Sequence, residues 1–174
     1  VLLAASLVFY AWAEPTFVFV VALSIVADWL LGNALHGARD ERTARRLLLT
    51  YIALNVGLLV YFKYMNFFVA NVNAALGAAG IGAIDWAPVA LPLALSFLVF
   101  EKLTYGIDIH RGTGRPARTP WLYALYCLLF PQLIAGPIIK YREIEPQLET
   151  RRVAFDDVLF GLFRFSVGLA KKVW

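Results

Sequence analysis

The chain has 174 residues, 61% of them hydrophobic and only 16% charged, with a net charge of +4. Soluble domains run nearer ~45–50% apolar and ~25% charged, and a chain this short has little polar surface to cover so much apolar area, so a soluble all-helical core is only the second reading. The single cysteine, Cys127, excludes an intrachain disulfide and a multi-cysteine metal site, and the basic residues sit in short loops rather than in a readable nucleic-acid patch.

The apolar excess is clustered: residues 15–27, 47–62, 86–100 and 119–139 contain no Asp, Glu, Lys or Arg. Runs of this length predict membrane helices, because ~20 residues at ~1.5 Å rise cross the hydrocarbon core. Residues 1–13 read as an apolar helix ending near Trp12, with Glu14-Pro15 as the break. A helix over 15–35 follows, opened by Pro15, a favoured first-turn residue. Residues 36–46 form a loop with Arg39, Arg42, Arg45 and Arg46, and 46–64 form the next span, closed by Lys63. Residues 65–87, with Asn66, Asn71, Asn73 and several glycines but no Lys or Arg, read as a segment outside the bilayer. Another span covers 88–109, and Arg111, Arg115 and Arg118 mark a second basic loop.

Short Lys/Arg-rich loops stay on the cytoplasmic side, which places 36–46 and 110–118 inside and 65–87 outside. Residues 119–136 conflict with that scheme, because Lys140, Arg142, Arg151 and Arg152 follow and a full crossing would carry them out. A broken or re-entrant segment removes the conflict. Pro131 disrupts a helix, Gly136-Pro137 does so again, and lipid tolerates such a break only where it is buried in protein or lines a wet cavity. A plain Pro-kinked helix followed by a turn is the alternative. Residues 154–174 predict a last helix with Asp156 and Asp157 at its start and Lys171 and Lys172 at its end, as the helix dipole favours. Arg164 near its middle leaves open whether it spans or lies at the interface. The fold class expected is an all-α polytopic membrane helix bundle with a broken or re-entrant segment near 130–137, forming one membrane domain over 1–174 that is the N-terminal part of a longer protein.

Charge inside a membrane helix is costly and is a functional signal by default. Asp28 lies well inside the helix over 15–35, as a packing partner, a snorkelling residue or a functional group. Glu101, Tyr105 and Asp108 fall at i, i+4 and i+7, on one helix face, with Lys102 adjacent and able to pair with a carboxylate. Such a stripe lines a substrate or water path, or fixes helix packing by a polar network. His36 and His110 sit at helix ends beside basic loops and read as solvated loop histidines. Metal-protease, serine-hydrolase, phosphate-loop and dinucleotide motifs are absent.

Four stretches then carry a family likeness, in the family's order and with its spacing: Tyr61-Phe62-Lys63-Tyr64-Met65-Asn66-Phe67; Ser96 to Glu101 continuing through Tyr105, Asp108, Arg111 and Gly112; Phe130-Pro131-Gln132-Leu133-Ile134-Ala135-Gly136-Pro137-Ile138, with Tyr141, Ile144 and Gln147 behind it; and Gly168-Leu169-Ala170-Lys171-Lys172-Val173. With these the chain resembles the membrane-bound O-acyltransferase family, above all its bacterial branch, which includes the membrane proteins of alginate O-acetylation and of teichoic-acid D-alanylation. The resemblance implies a multi-pass enzyme of the bacterial inner membrane. It would transfer acetyl, or another acyl group, from a cytoplasmic thioester donor such as acetyl-CoA or an acyl carrier to hydroxyls of an extracytoplasmic polysaccharide. A transporter or channel subunit using the broken helix as a path is the alternative.

No bound cofactor and no metal are implied. The partners would be the bilayer, the polysaccharide and an extracytoplasmic acetyltransferase, with no nucleic acid. The family's histidine base lies on a tryptophan-histidine-glycine motif that this stretch does not contain, so no catalytic residue is assigned here. His36 and His110 do not match it, and relatives commonly carry Tyr where His110 stands. Gln132 stands where many relatives have His, and Lys102 is unusual at its position. The cavity-lining candidates are Glu101, Tyr105, Asp108, Gln132, Gly136 and Pro137.

Overall fold

The computed structural model describes residues 1–133, 136–150 and 154–173, and helices are the only regular elements among the described residues. They fall into two units, Val1–Glu143 and Ile144–Trp174. In order, the helices are α1 (Leu2–Ala13), α2 (Phe17–His36), α3 (Glu41–Ala78), α4 (Leu95–His110), α5 (Pro120–Leu128), α6 (Phe130–Leu133), α7 (Tyr141–Glu149) and α8 (Phe155–Val173).

In the first unit, α2, α3 and α4 pack on one another, with α1 and α5 against α2. Pairing of levels fixes their directions. Phe17 of α2 meets Phe62 of α3 edge to face, and Phe62, Leu95 and Val99 form a buried apolar cluster at that end. At the other end Gly32 of α2 lies against Tyr105 and Ile109 of α4, while Trp29 Nε1 donates to Ala117 O at 2.8 Å. The turn after His36 and the loop after His110 therefore share one end of the bundle. Glu14 and Leu93, joined by a 3.1 Å bond from Leu93 N to Glu14 Oε1, share the opposite end. This parity is what the two basic loops call for.

Two helices, α2 and α3, are long and apolar enough to cross a membrane. Their outward residues are apolar and bare: Phe19, Leu23, Leu30, Leu49 and Leu54 are all more than half exposed. The inward positions include Asp28, Asn55, Glu101, Lys102 and Gln132, each buried. Apolar outside with polar inside is an arrangement stable against lipid and costly against water. The chain is an all-α membrane protein.

Three predicted boundaries are corrected. The expected span 46–64 is only part of α3, which runs unbroken from Glu41 to Ala78 and takes in residues 65–78 of the stretch read as outside the bilayer. At 1.5 Å per residue its 38 residues extend ~57 Å, against a hydrocarbon core of ~30 Å. Arg42, Arg45 and Arg46 thus lie in its opening turns and Lys63 in its middle, rather than in a loop and at a span end.

The asparagines of that stretch are helical. Asn71 Nδ2 donates to Phe67 O, four residues back, at 2.7 Å. Asn66 and Asn73 reach across to the returning chain: Asn66 Oδ1 accepts from Val89 N (2.9 Å) and Trp86 Nε1 (2.9 Å) while its Nδ2 donates to Val89 O (2.7 Å), and Asn73 exchanges both bonds with the Ile84 backbone. Lastly, the span expected over 88–109 begins helically only at Leu95. Pro88 and Pro92 push their preceding residues away from helical geometry, and Ala94, at φ 58°, makes the left-handed turn into α4.

The start of α3 is set by Asp40, whose carboxylate accepts from Thr43 N at 2.7 Å. That backbone bond holds the Asp40 carboxyl below its ordinary range. A depressed folded value means the cap's contribution is complete above the ordinary carboxylate range and is lost as pH falls through the folded value. Protection of the Thr43 and Ala44 amides, corrected for the intrinsic pH dependence of exchange, should therefore fall relative to interior α3 amides when pH is lowered from neutral into that range, and this relative fall should vanish in Asp40→Asn.

The segment over 119–136 is broken, as expected, though its first break falls at Leu129, ahead of Pro131. α5 is nine residues, ~14 Å by its rise, too short to cross. Pro131 sits in the opening turn of α6, where a missing N–H costs nothing. The Phe130 N–H released by the break goes to Ser6 Oγ at 3.3 Å. Ile134 and Ala135 lie outside the described residues, as do Arg151 and Arg152.

In the second unit, α8 bears Asp156 and Asp157 in its first turn and Lys171 and Lys172 in its last, as expected. Asp157 Oδ2 accepts from Ala154 N at 3.1 Å, closing the helix start, and Arg164 lies over the Phe160 ring at 5.7 Å.

Candidate functional site

The stripe on α4 is a continuous contact line with the broken segment. Glu101, fully buried, accepts on Oε1 from Gln132 Nε2 of α6. One turn on, Tyr105 stacks on Tyr123 of α5 with ring centroids 4.3 Å apart and meets Tyr141 edge to face at 5.3 Å. Its hydroxyl accepts from Ala117 N at 2.9 Å. Near the helix end Asp108 Oδ2 faces Arg142 Nε at 3.6 Å. The Asp108 carbonyl accepts from Thr113 N and Gly114 N, both at 3.0 Å, closing the basic loop onto the helix. Glu101, Tyr105 and Asp108 thus meet Gln132, Tyr141 and Arg142 at three successive heights. Tyr126 adds a bond to Ile139 O at 2.8 Å and packs edge to face on Tyr141.

Gly136 is required by this geometry. Its N–H donates to Gln132 O at 2.8 Å, and a β-carbon there would lie 2.5 Å from Gln132 Cα and 2.7 Å from Gln132 O. Pro137, by contrast, is exposed. Gly136, half-buried, is held over α6 by that bond.

Behind the stripe lies a second polar layer that sequence reasoning found only in part. Lys102 pairs with Asp28 of α2 (Nζ to Oδ2, 2.8 Å) with both side chains 2% exposed; the carboxylate it pairs with is neither of those on its own helix. Its ammonium also donates to Ser24 Oγ at 2.9 Å. Asp28 Oδ1 accepts from Asn55 Nδ2 at 2.7 Å, and Tyr51 OH donates to Lys102 O at 2.7 Å and lies 3.2 Å from Tyr123 OH. Tyr51 also fills the space left by Gly106, where a β-carbon would come within 2.5 Å of its ring. Ser24, Tyr51, Asn55 and Tyr123 carried no prediction. The missed signal is the spacing: Ser24/Asp28 and Tyr51/Asn55 are i, i+4 pairs in otherwise apolar helices, each placing two polar groups on one face.

His36 and His110 are exposed at the ends of α2 and α4, apart from this network. Cys127 is buried among the tyrosines as a small core residue.

If the Glu101–Gln132 contact seats the broken segment, Glu101→Leu should strand a buried amide and destabilise the protein by about 1–3 kcal/mol, while Glu101→Leu/Gln132→Leu recovers most of the loss. Thermal unfolding of the purified protein checks this. Equal losses in the single and double variants would mean that the contact carries no weight.

Against known proteins, the chain matches the probable alginate O-acetylase AlgI of Pseudomonas syringae pv. tomato at 37% identity over 99% of this chain and 34% of that protein. It matches the probable alginate O-acetylase AlgI of Pseudomonas aeruginosa at 34% identity, with 99% and 34% covered. It also matches a peptidoglycan O-acetyltransferase of Helicobacter pylori at 30%, with 99% and 37% covered.

The chain is similar over 99% of its length to proteins named for O-acetylation, in line with its resemblance to the membrane-bound O-acyltransferases.

No family model matches it, and no solved structure matches it. The chain spans about a third of the length of the curated relatives it matches. The described residues supply a helical segment whose polar face grips a broken helix. Every stretch that carried the resemblance lies in a matched region, since the matches run over 99% of the chain.

Proposed function

We propose that this chain is part of an O-acyltransferase that moves acetyl from a cytoplasmic thioester donor to hydroxyls of an extracytoplasmic polysaccharide. The observation that carries the proposal is whole-chain similarity, at 30–37% identity, to proteins named for O-acetylation of two different polysaccharides, alginate and peptidoglycan. No observation favours a transporter or channel. The geometry supports the role of scaffold and cavity wall: the α4 stripe and the Gln132–Gly136 contact hold the broken segment against the helices, and a break at membrane depth survives only where protein or a wet cavity satisfies it.

The same proposal places the protein in the bacterial inner membrane with several passes. The basic turns near Arg39–Arg46 and Arg111–Arg118 face the cytoplasm, and an extracytoplasmic acetyltransferase would be its partner. Glu101, Tyr105, Asp108, Gln132, Gly136 and Pro137 remain the residues proposed to line the path, with no cofactor resident in this segment.

Deleting the gene and measuring ester-linked acetyl on the isolated surface polysaccharides tests the activity. Loss restored by the whole gene is expected, and unchanged acetylation of every polymer would overturn it. Within that assay, His36→Ala and His110→Phe should leave acetylation within several-fold of normal. A loss of about a hundredfold, the low end for removing a general base, at unchanged membrane abundance would put a base in this segment.

A further inference from the structure

Two cavities flank α2, and they differ in chemistry. One, of about 130 Å³, is lined by apolar side chains of α1, α2 and α5, Ala22 among them. The other, of about 50 Å³, lies between α2 and α3 and is lined by Ser24, Ala27, Asp28, Leu54, Asn55 and Leu58. Leu54 at its rim is half exposed, so the slot reaches the outer face of the helix pair.

The orientation of the Asn55 amide is fixed by its neighbours. Nδ2 lies 2.7 Å from Asp28 Oδ1 and 3.1 Å from Tyr51 O, and both are acceptors, so this end must be the donor. Oδ1 is therefore the end left over. Asn55 is 2% exposed, and its Oδ1 has no hydrogen-bond partner among the described residues. Asp28 Oδ2 takes the Lys102 ammonium and has lone pairs to spare. Ser24 Oγ accepts from Lys102 and donates to Val21 O at 2.7 Å. The polar groups lining the slot thus offer acceptors and no free donor.

We propose that this slot is a hydration site within the membrane bundle, taking a water-sized hydrogen-bond donor that joins Asn55 Oδ1 to the Asp28 carboxylate. The size selects the ligand. A polar cavity needs ≳ 10–15 Å³ of water-accessible space and two to four partners to hold a water, whereas ~50 Å³ is too small for a sugar or an acyl chain. The charge selects it too: Asp28 already has its cation in Lys102, so the remaining demand is for a neutral donor. A buried carbonyl left unmatched is costly, and one water removes that cost. The Asp28–Lys102 pair is then a solvated pair in an otherwise apolar layer. This does not depend on the acyltransferase reading.

Cysteine reactivity tests it in the whole protein in native membranes, in an otherwise cysteine-free background that includes Cys127→Ala. A charged methanethiosulfonate reacts with thiolate, which forms only where water reaches. Ala27 and Ala22 are both partly exposed on α2, one facing the slot and the other the apolar cavity. Ala27→Cys should react about tenfold or more faster than Ala22→Cys, because thiolate formation needs a wet surround. Asn55→Leu, which removes the unmatched carbonyl while nearly keeping the side chain's size, should bring Ala27→Cys down to the Ala22→Cys rate at unchanged membrane abundance. Equal rates at the two positions, or a fast Ala27→Cys rate that Asn55→Leu leaves unchanged, would overturn the proposal.

Discussion

Replacing Lys102 by leucine alone should be among the most damaging single changes in this segment, costing about 3–5 kcal/mol, because it leaves the buried Asp28 carboxylate without its cation. The cost comes from the charge left behind more than from the attraction lost. Asn55 would still donate to Asp28 Oδ1, but one neutral amide does not balance a carboxylate in surroundings that are 2% exposed. Asp28→Leu should be comparably harmful, since it strands an ammonium. The double variant Asp28→Leu/Lys102→Leu should recover most of the loss, as apolar pairs of similar volume commonly do. Membrane abundance and thermal unfolding of the four proteins form a double-mutant cycle. A double variant as damaged as the sum of the singles would show that each residue serves something other than its partner.

The second large effect is expected at Gly136. Gly136→Ala should already destabilise the broken segment, and Gly136→Leu should abolish function of the whole protein, whereas Leu133→Ile should be tolerated with a cost below about 1.5 kcal/mol. The asymmetry follows from what each side chain meets. A β-carbon at Gly136 would collide with Gln132 Cα and O, which are backbone atoms and cannot swing aside. Relief requires the chain to lift off α6, breaking the Gly136 N–H bond to Gln132 O and loosening the Gln132 grip on Glu101. Acetyl content of the polysaccharide, read beside membrane abundance, separates a misplaced segment from a protein that fails to accumulate. Full activity in Gly136→Leu would mean that the close approach is dispensable.

The broken helix was legible because Pro and Gly write backbone constraints directly into sequence, and the α4 stripe was legible because helical spacing alone puts Glu101, Tyr105 and Asp108 on one face. What they face was not legible. Spacing within a helix says which residues share a side, but not which neighbour lies across from it, so Lys102 was left between several carboxylates until the packing of α2 chose Asp28. The length of α3 was hidden for another reason. Asn66, Asn71 and Asn73 have turn-like composition, and the helix keeps them only because their amides find acceptors on the helix itself or on the chain that returns beside it. Tyr51 and Asn55 were overlooked inside a charge-free run, where an uncharged polar pair hardly changes the hydropathy on which span prediction rests.

The asparagine contacts along the far part of α3 have a structural consequence. A primary amide offers its carbonyl and an N–H on one edge, the same pair that the N–H and C=O of a single strand residue offer to a neighbouring strand. Asn66 and Asn73 use both ends on single residues of the returning chain, Val89 and Ile84. The helix thereby imitates a sheet edge at two points, and the extended, proline-bearing chain docks there without a strand partner. Seven residues are close to two full turns, which keeps the two amides on one line. One residue inserted between them would swing the second by roughly 100° and unhook the chain from that end, while the same insertion past Asn73 would leave both hooks in place.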